Sequence, residues 1–236
     1  MTDTKIVLVT GATSGIGAAV ARRLATQGHR VLAGGRRADR LAELAGDNLQ
    51  VRRLDVTDRA DFAAFVDHAI AAYGRIDVIV NNAGVMPLSR MDALLVDQWD
   101  AMIDVNIRGL LNGIAAGLPH FQRQGSGHFV TVASVGAHEV VPTAAVYCAT
   151  KHAAWAITEG LRQELDPAIR VTTVSPGVVE SELAESITDA GAAAAMKAYR
   201  ADAIEPDAIA RAIGYAIDEP AEVDVNELVI RPARQR

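Results

Sequence analysis

Short apolar runs rich in β-branched residues alternate with longer amphipathic stretches along almost the whole chain. The runs are apolar throughout, which is typical of strands that helices cover on both faces. Strand–helix alternation at this spacing predicts right-handed βαβ units, and therefore an α/β fold with a doubly wound parallel sheet of about seven strands and helices on both faces. The predicted strands are residues 5–10, 30–33, 50–54, 76–80, 128–133, 170–174 and 227–230, and the predicted helices are residues 15–27, 41–45, 58–73, 99–123, 146–165 and 206–217.

The length and charge of the chain limit its organisation and its partners. Half of the 236 residues are apolar, which is enough for one sizeable core, and no linker or repeat interrupts the pattern. We expect a single domain over residues 1–236. The net charge of −6 argues against nucleic acid or an anionic membrane as a partner. Cys148 is the single cysteine, and no early apolar run is long enough for a signal peptide or a membrane span, so we expect a cytoplasmic protein without a metal site.

Glycine and polar residues gather where the predicted strands end. A doubly wound sheet binds its ligands at these carboxyl ends, at the point where the strand order reverses. We therefore expect a binding cleft along this edge of the sheet. The segments that follow strands are Thr10-Gly11, Gly34-Gly35-Arg36, Asp55, Asn81-Asn82-Ala83-Gly84, Ser134 and Ser175-Pro176-Gly177.

The segment Gly11-Ala12-Thr13-Ser14-Gly15-Ile16-Gly17 joins the first predicted strand to the first helix. Its glycines permit a tight turn and a close approach of the backbone to a pyrophosphate, and the helix N-terminus offers amide groups to the anion. A plain strand–helix turn is the alternative, but the position directly after the first strand favours dinucleotide binding. No Gly-Lys-Ser/Thr follows, which excludes a phosphate-hydrolysing P-loop.

The end of the second predicted strand selects between the two nicotinamide dinucleotides. Enzymes that use the unphosphorylated form usually place an acidic residue there to hold the ribose hydroxyls. This chain has Gly35 followed by Arg36 and Arg37, and guanidinium groups suit a 2′-phosphate. The alternative is a pair of solvated arginines, but adjacent cations before a helix oppose its dipole unless an anion is present. We expect NADP(H).

Tyr147 and Lys151 lie four residues apart in a predicted helix and therefore share a face. A neighbouring ammonium would lower the pKa of the tyrosine from about 10 toward neutrality. Ser134, at the end of the fifth predicted strand, is placed to hydrogen-bond the same carbonyl oxygen. Each residue alone has an ordinary structural explanation: packing, a solvated charge or a turn cap. Together, at the mouth of a dinucleotide fold, they indicate a proton-transfer set.

Over nearly its whole length the chain resembles the short-chain dehydrogenase/reductase family, in the Tyr-x-x-x-Lys branch of about 250 residues with a Rossmann fold. Residues 159–236 resemble bacterial NADPH-dependent carbonyl reductases related to clavulanic aldehyde reductase and hydroxy-acid dehydrogenases. The spacing of 13 residues from Ser134 to Tyr147 matches the family. The segments that carry the resemblance are Thr10-Gly11-x-x-x-Gly15-Ile16-Gly17, Asn81-Asn82-Ala83-Gly84, Asn106, Ser134, Tyr147-x-x-x-Lys151 and Pro176-Gly177.

The resemblance implies roles for these residues. Tyr147 would be the general acid in reduction and the base in oxidation, Lys151 would lower its pKa and hold the nicotinamide ribose, Ser134 would orient the carbonyl, and Asn106 would keep a water in the proton relay. Ser181 replaces the usual threonine, and Ser14 stands where many NADPH-preferring members carry a basic residue. The implied cofactor contacts are Gly11, Thr13, Ser14, Gly15, Ile16, Gly17, Gly35, Arg36, Arg37, Asp55, Val56, Asn82, Ala83, Gly84, Tyr147, Lys151, Pro176, Gly177, Val178 and Ser181.

Residues 178–205 form a segment too long for an ordinary connection, and we expect a lid over the cleft. Its near part carries glutamates and its basic residues, Lys197 and Arg200, follow further along, so no arginine is expected to clamp a carboxylate near the hydride. We expect a mostly apolar substrate pocket for neutral carbonyl compounds and alcohols. The surplus apolar surface of helices 99–123 and 146–165 predicts a homotetramer, with a dimer second. The expected pocket residues are Val85, Ser134, His138, Val141, Leu183, Ile187 and Met196.

Two other functions are compatible with the same scaffold. An epimerase, dehydratase or dehalogenase would use the same cofactor fold, but the complete set of Asn106, Ser134, Tyr147 and Lys151 favours simple redox chemistry. A non-catalytic dinucleotide sensor would keep the glycine segment and lose the tyrosine–lysine pair, which this chain retains.

Overall fold

The computed structural model describes residues 3–235 and contains seven strands. All six neighbouring pairs are parallel, in the order β3-β2-β1-β4-β5-β6-β7. The strand order reverses between β1 and β4, which is where a doubly wound sheet opens its binding crevice. The predicted α/β fold is confirmed. The strands are β1 (Ile6–Thr10), β2 (Arg30–Gly35), β3 (Leu49–Arg53), β4 (Val78–Asn81), β5 (Gly127–Val132), β6 (Ile169–Pro176) and β7 (Glu227–Ile230).

Helices cover both faces of the sheet and explain why the strands are apolar on both sides. On β1, Val7 and Val9 face one apolar layer, in which α1 packs against α8. Ile6 and Leu8 face the other layer, in which α3 packs against α5. The helices are α1 (Gly15–Thr26), α2 (Ala38–Ala42), α3 (Arg59–Tyr73), α4 (Val96–Ile103), α5 (Gly109–Gln124), α6 (Ala145–Glu164), α7 (Ala190–Tyr199) and α8 (Pro206–Asp218).

Two predicted helices differ from those in the structure. The helix predicted at residues 41–45 is α2, which begins three residues earlier, at Ala38. The helix predicted at residues 99–123 comprises α4 and α5, which are joined by a π-helical turn, Asp104–Arg108. A π turn inserts an extra residue into the helical ladder and is frequent at functional sites. Asn106 lies in the middle of this turn.

The expected lid segment contains a short 3₁₀ helix, Glu182–Ser186, and helix α7. Ile187 and Ala192 pack with Met86, Leu88 and Met102 in a third apolar cluster, which also includes the ring of Tyr147. The lid therefore rests on the same helices and loops that carry the candidate catalytic residues. None of the helices in residues 3–235 is long and apolar enough to cross a membrane.

Candidate active site

A cavity of about 500 Å³ opens along the carboxyl ends of the strands. Its walls bring together the glycine segment after β1, the start of the loop after β2, and the polar residues after β4, β5 and β6. The expected cleft is therefore present at the switch point of the sheet. Among residues 3–235, no group of three or more His, Cys, Asp or Glu side chains is arranged to hold a metal ion.

The glycine segment packs too tightly for side chains at two of its positions. Gly11 has a φ of +65°, and a Cβ there would lie 2.7 Å from the Cα of Ala83. A Cβ on Gly17 would lie 2.4 Å from the carbonyl oxygen of Gly11. The Asn82 amide secures the turn by donating to the carbonyl oxygens of Thr10 and Gly11 at 2.9 and 3.2 Å. Gly17 lies behind the turn, away from the cavity wall, so the structure gives it a packing role.

The N-terminus of α1 faces the cavity with its first amides free of side-chain caps. Ser14 is the N-cap residue, and its hydroxyl makes no capping hydrogen bond to the helix. Ser14, Gly15 and Ile16 line the cavity. A bare helix N-terminus next to a glycine turn provides the donors and the dipole that a pyrophosphate needs. The described residues therefore fit a dinucleotide at this end.

Gly35, Arg36 and Arg37 line the adjacent end of the cavity, as expected. The Arg37 guanidinium donates to the Thr13 hydroxyl from Nη2 at 3.0 Å and pairs through Nη1 with Glu182 of the lid at 2.7 Å. Arg37 is therefore held in place and is not simply solvated.

Asp55 and Val56 line the cavity next to the two arginines. The Thr57 hydroxyl, which donates to Asp55, lowers the pKa of the Asp55 carboxyl below its ordinary value, and the nearby charge of Arg36 also lowers it. The expected adenine end of the cleft is therefore bordered by an ionised carboxylate and a guanidinium.

Tyr147 and Lys151, on consecutive turns of α6, are both buried and line the cavity, as does Ser134 after β5. The Lys151 ammonium donates to the Val132 carbonyl oxygen at 2.9 Å, which fixes its direction. The Ser134 Oγ accepts from the Gly136 amide at 3.0 Å, so its own O–H remains free to donate. The structure thus brings the three expected catalytic side chains to one place.

The charge states of this pair differ from the expectation. Burial raises the pKa of Tyr147 to about 12, although the nearby hydroxyl of Ser134 opposes the rise. Burial also lowers the pKa of Lys151 to about 8. The pKa of Tyr147 therefore does not move toward neutrality in the protein by itself, contrary to the expectation, because burial disfavours the charged phenolate.

Asn106 is expected to hold a water of the proton relay, and its side chain is fully engaged elsewhere. Its amide donates to the carbonyl oxygen of Val85 and to the hydroxyl of Thr150, both at 3.0 Å, and its Oδ1 accepts from the Val85 amide at 2.9 Å. Asn106 does not line the main cavity, but Val85 does. The side chain thus positions the cavity wall and joins it to α6.

The nicotinamide end of the expected site follows β6. Pro176, Gly177, Val178 and Ser181 line the cavity there, opposite Asn82, Ala83 and Gly84. The guanidinium of Arg200 donates through Nη2 to the carbonyl oxygens of Val179 and Ser181, both at 2.9 Å. Arg200 therefore braces the start of the lid.

Two of the expected pocket residues lie outside the cavity. His138 points to β7, where its Nε2 lies 2.7 Å from the Glu227 carboxylate. Ile187 belongs to the lid and packs into the third apolar cluster. Both assignments are wrong, because the direction of each side chain is set by a neighbour distant in sequence. The other expected residues, Val85, Ser134, Val141, Leu183 and Met196, line the cavity.

Several wall residues were missing from the expected pocket. Met86 and Leu88 lie two and four residues after the Asn-Asn-Ala-Gly segment, so their proximity in the chain was a usable signal. Arg200 also lines the cavity, contrary to the expectation that it lies too far along the lid, because α7 returns its C-terminal end to the cleft. No sequence pattern indicated that the C-terminal end of α7 lies at the cavity. Other additions include the lid and loop residues Glu139, Glu182, Glu185, Ser186 and Tyr199.

A doubly wound parallel sheet that combines a dinucleotide cleft with a Ser–Tyr–Lys set defines an oxidoreductase of the nicotinamide-dependent class. The family model described as short chain dehydrogenase matches residues 5–192. The chain belongs to this family.

Similar proteins support this assignment. An uncharacterised oxidoreductase of Staphylococcus saprophyticus is 46% identical, over 98% of this chain and 97% of that protein. The closed form of a serine dehydrogenase in complex with NADP+ has a TM-score of 0.89 and 34% identity, covering 95% of this chain and 94% of that one. An alcohol dehydrogenase from the archaeon Thermococcus sibiricus, in complex with 5-hydroxy-NADP, has a TM-score of 0.89 and 30% identity, covering 99% of each chain.

Proposed function

We propose that this oxidoreductase uses NADP(H) to interconvert a ketone or aldehyde and its alcohol. The observation that carries the proposal is the meeting of Ser134, Tyr147 and Lys151 on the wall of the cavity that the glycine segment also lines. A non-catalytic dinucleotide sensor would need only the part of the cavity that binds the dinucleotide. This cavity is also lined by the proton donors Ser134, Tyr147 and Lys151.

The chemistry of the three side chains follows from their charges and contacts. The bound cofactor supplies or accepts the hydride. Tyr147 has a pKa of about 12, so at neutral pH its phenol carries the proton that a reduced carbonyl oxygen must receive. The free O–H of Ser134 is available to donate to the same oxygen. One N–H of the Lys151 ammonium donates to the carbonyl oxygen of Val132. The other two remain available to the cofactor ribose and to groups near Tyr147.

The preference for NADP(H) rests on the arginines after β2. Arg37 is braced by the Thr13 hydroxyl, and Arg36 lines the same part of the cavity. Gly35 provides no carboxylate to hold an unphosphorylated ribose. Guanidinium groups bind phosphate through two parallel, charge-assisted hydrogen bonds. Two similar structures contain NADP+ or an NADP analogue, which is consistent with this preference.

We further propose that the substrates are neutral, moderately hydrophobic aldehydes and ketones, aromatic ones included. The cavity near Tyr147 is bordered by apolar side chains, among them Val85, Leu183 and Met196. Glu139 and Glu185 also line the cavity, and their negative charges oppose a carboxylate substrate. The narrower likeness to clavulanic aldehyde reductase stays a prediction.

A short hydroxy or keto acid is the second candidate. Arg200 lines the cavity, and a serine dehydrogenase is among the similar structures. However, Nη2 of Arg200 is engaged by Val179 and Ser181, so a substrate carboxylate would compete with the lid for this group. The neutral class is therefore favoured.

The proposed activity is tested by mixing the purified protein with NADPH and a panel of aldehydes and ketones. The readout is the loss of reduced-nicotinamide absorbance, followed by identification of the alcohol. Turnover of one or more neutral carbonyl compounds, faster with NADPH than with NADH, supports the proposal. An epimerase or dehydratase would form product without net consumption of NADPH, and a sensor would bind NADPH without forming product.

The homotetramer and the cytoplasmic location also stay proposals. Ile103 and Leu111, on the α4–α5 unit, are exposed apolar side chains of the kind that a subunit interface covers. Trp155 of α6 is also partly exposed.

A further inference from the structure

The carboxylate of Glu182 lies at the adenosine end of the cavity, although the residue belongs to the lid. One of its oxygens is 2.7 Å from Nη1 of Arg37, and the other is 3.9 Å from Nη2 of Arg40. The Ser14 hydroxyl also favours the ionised form of this carboxyl. Arg37, followed by Ser14 and Arg40, holds the pKa of Glu182 below its ordinary value, so the carboxylate stays ionised at neutral pH.

These partners include groups that a 2′-phosphate would need. Arg37, just after the end of β2, and Ser14, at the start of α1, line the cavity, as does Glu182, which contacts Arg37. A carboxylate and a phosphate present the same kind of acceptor oxygens to a guanidinium. The lid therefore inserts its own anion into the cationic site at which the phosphate is proposed to bind.

We propose that Glu182 competes with the 2′-phosphate of NADP(H) for Arg37, and so sets how strongly the enzyme prefers the phosphorylated cofactor. The inference rests on the proposed use of NADP(H). When the phosphorylated cofactor binds, its phosphate displaces the carboxylate, and the first turn of the lid is released from the β2 end. With an unphosphorylated cofactor, Glu182 keeps its ion pair.

The strength of the ion pair suits such an exchange. The side chains of Arg37 and Glu182 are 43% and 36% exposed, and ion pairs of this kind are weak because water screens them. A phosphate monoester carries more negative charge than a carboxylate and has three acceptor oxygens. The phosphate can therefore replace Glu182, but it must do so against a competing anion, which lowers its apparent affinity.

The test compares the affinities of ADP-ribose and 2′-phospho-ADP-ribose, measured by calorimetry, for the wild type and Glu182→Gln. Neither probe contains nicotinamide, so contacts near Tyr147 do not contribute to the difference in affinity between the two probes. We expect Glu182→Gln to bind 2′-phospho-ADP-ribose about three- to tenfold more tightly, in line with the loss of one exposed ion pair and one repulsive charge. Affinity for ADP-ribose should change less than twofold.

Glu180→Gln is the matched control. Glu180 is exposed, lies two residues earlier on the lid and has no ion-pair partner among residues 3–235. The control removes the same charge from the same segment, so it measures the general electrostatic effect. In an Arg37→Gln background, Glu182→Gln should give no gain, because the group for which the two anions compete is absent.

The inference is supported if Glu182→Gln increases the affinity for 2′-phospho-ADP-ribose more than Glu180→Gln does. Equal effects of the two variants, or a gain that persists with Arg37→Gln, would overturn it. The proposed reductase activity has its own outcome, turnover of carbonyl compounds by the wild type, which these affinities do not affect. A wild type that reduces ketones with NADPH while Glu182→Gln shows no gain would overturn this inference alone.

Discussion

The ammonium nitrogen of Lys151 lies 5.9 Å from the centroid of the Tyr147 ring, and both side chains are buried in the cavity wall. Burial disfavours the charged form of each group, so it moves their pKa values apart, lowering that of Lys151 to about 8 and raising that of Tyr147 to about 12. At neutral pH the pair is a neutral phenol beside a protonated amine, which is the state needed to give a proton to a carbonyl oxygen.

Replacing Tyr147 by Phe should remove the proton donor and leave nucleotide binding nearly unchanged. General acid catalysis is worth about 10²- to 10⁴-fold in rate, and we expect a loss of this size in turnover with NADPH and a ketone. Steady-state kinetics and a calorimetric titration with NADP+ measure the two effects. If the variant keeps more than about a tenth of the wild-type turnover, Tyr147 is not the acid.

The catalytic efficiency for NADPH should fall as the pH rises through about 8, because Lys151 loses its proton there instead of near its ordinary value of 10.5. The efficiency should fall, not rise, because burial favours the neutral amine, and an amine that has lost its proton has one N–H fewer to donate to the cofactor ribose. The measurement is a pH profile of kcat/KM for NADPH between pH 6.5 and 10. In Lys151→Arg, whose guanidinium stays charged, the profile should lose this fall. A wild-type profile that is flat to pH 10 would contradict the argument.

A change of cofactor preference should need two substitutions. A Cβ on Gly35 would lie 2.6 Å from Cγ2 of Thr13, so Gly35→Asp alone should weaken the binding of both cofactors. Adding Thr13→Ala removes the obstructing methyl group and the brace on Arg37, and should raise efficiency with NADH relative to NADPH. Efficiencies with both cofactors for the single and double variants decide this. A Gly35→Asp variant that already favours NADH at full efficiency would show that Thr13 is no obstacle.

Neutral substrates should be used better than acids. We expect a higher kcat/KM for a neutral aryl ketone than for a β-keto acid of similar size, because Glu139 and Glu185 line the cavity and Arg200 is engaged by the lid. Arg200→Lys should lower turnover of the ketone by loosening the lid. A keto acid turned over about tenfold better than the ketone, an advantage of roughly 1.4 kcal/mol, would favour the hydroxy-acid function instead.

The assembly should be a homotetramer of the 24.9 kDa chain. Leu111 is 45% exposed on α5, and Leu111→Glu should place a charge in the proposed interface and give smaller species. Light scattering at micromolar concentration measures the mass. Leu94→Glu is the control, since Leu94 is also exposed but lies outside the α4–α5 unit. A wild type of monomer mass would show that these apolar side chains are not an interface.

The fold and the location of the cleft could be predicted from local patterns in the sequence. Strands that are apolar throughout need helices on both faces of the sheet. Val7 is buried in one apolar layer and Ile6 in the other. The glycines at positions 11 and 17 are required by local packing, and the four-residue spacing of Tyr147 and Lys151 places them on one helical face. The apolar runs, the glycine turn and the four-residue spacing are all visible in short stretches of sequence, which is why pattern and spacing were sufficient, although the packing that requires Gly11 also involves the distant Ala83.

Burial and contacts between distant residues have no local signal in the sequence, so the features that depend on them became visible only in the folded protein. The pKa of Tyr147 rises through desolvation, which depends on everything packed around the ring. His138 turns away from the substrate because Glu227 reaches it from 89 residues further along the chain. Glu182 reaches Arg37 only because the lid folds back over the cleft, and the resulting ion pair places a carboxylate in the site proposed for the cofactor phosphate.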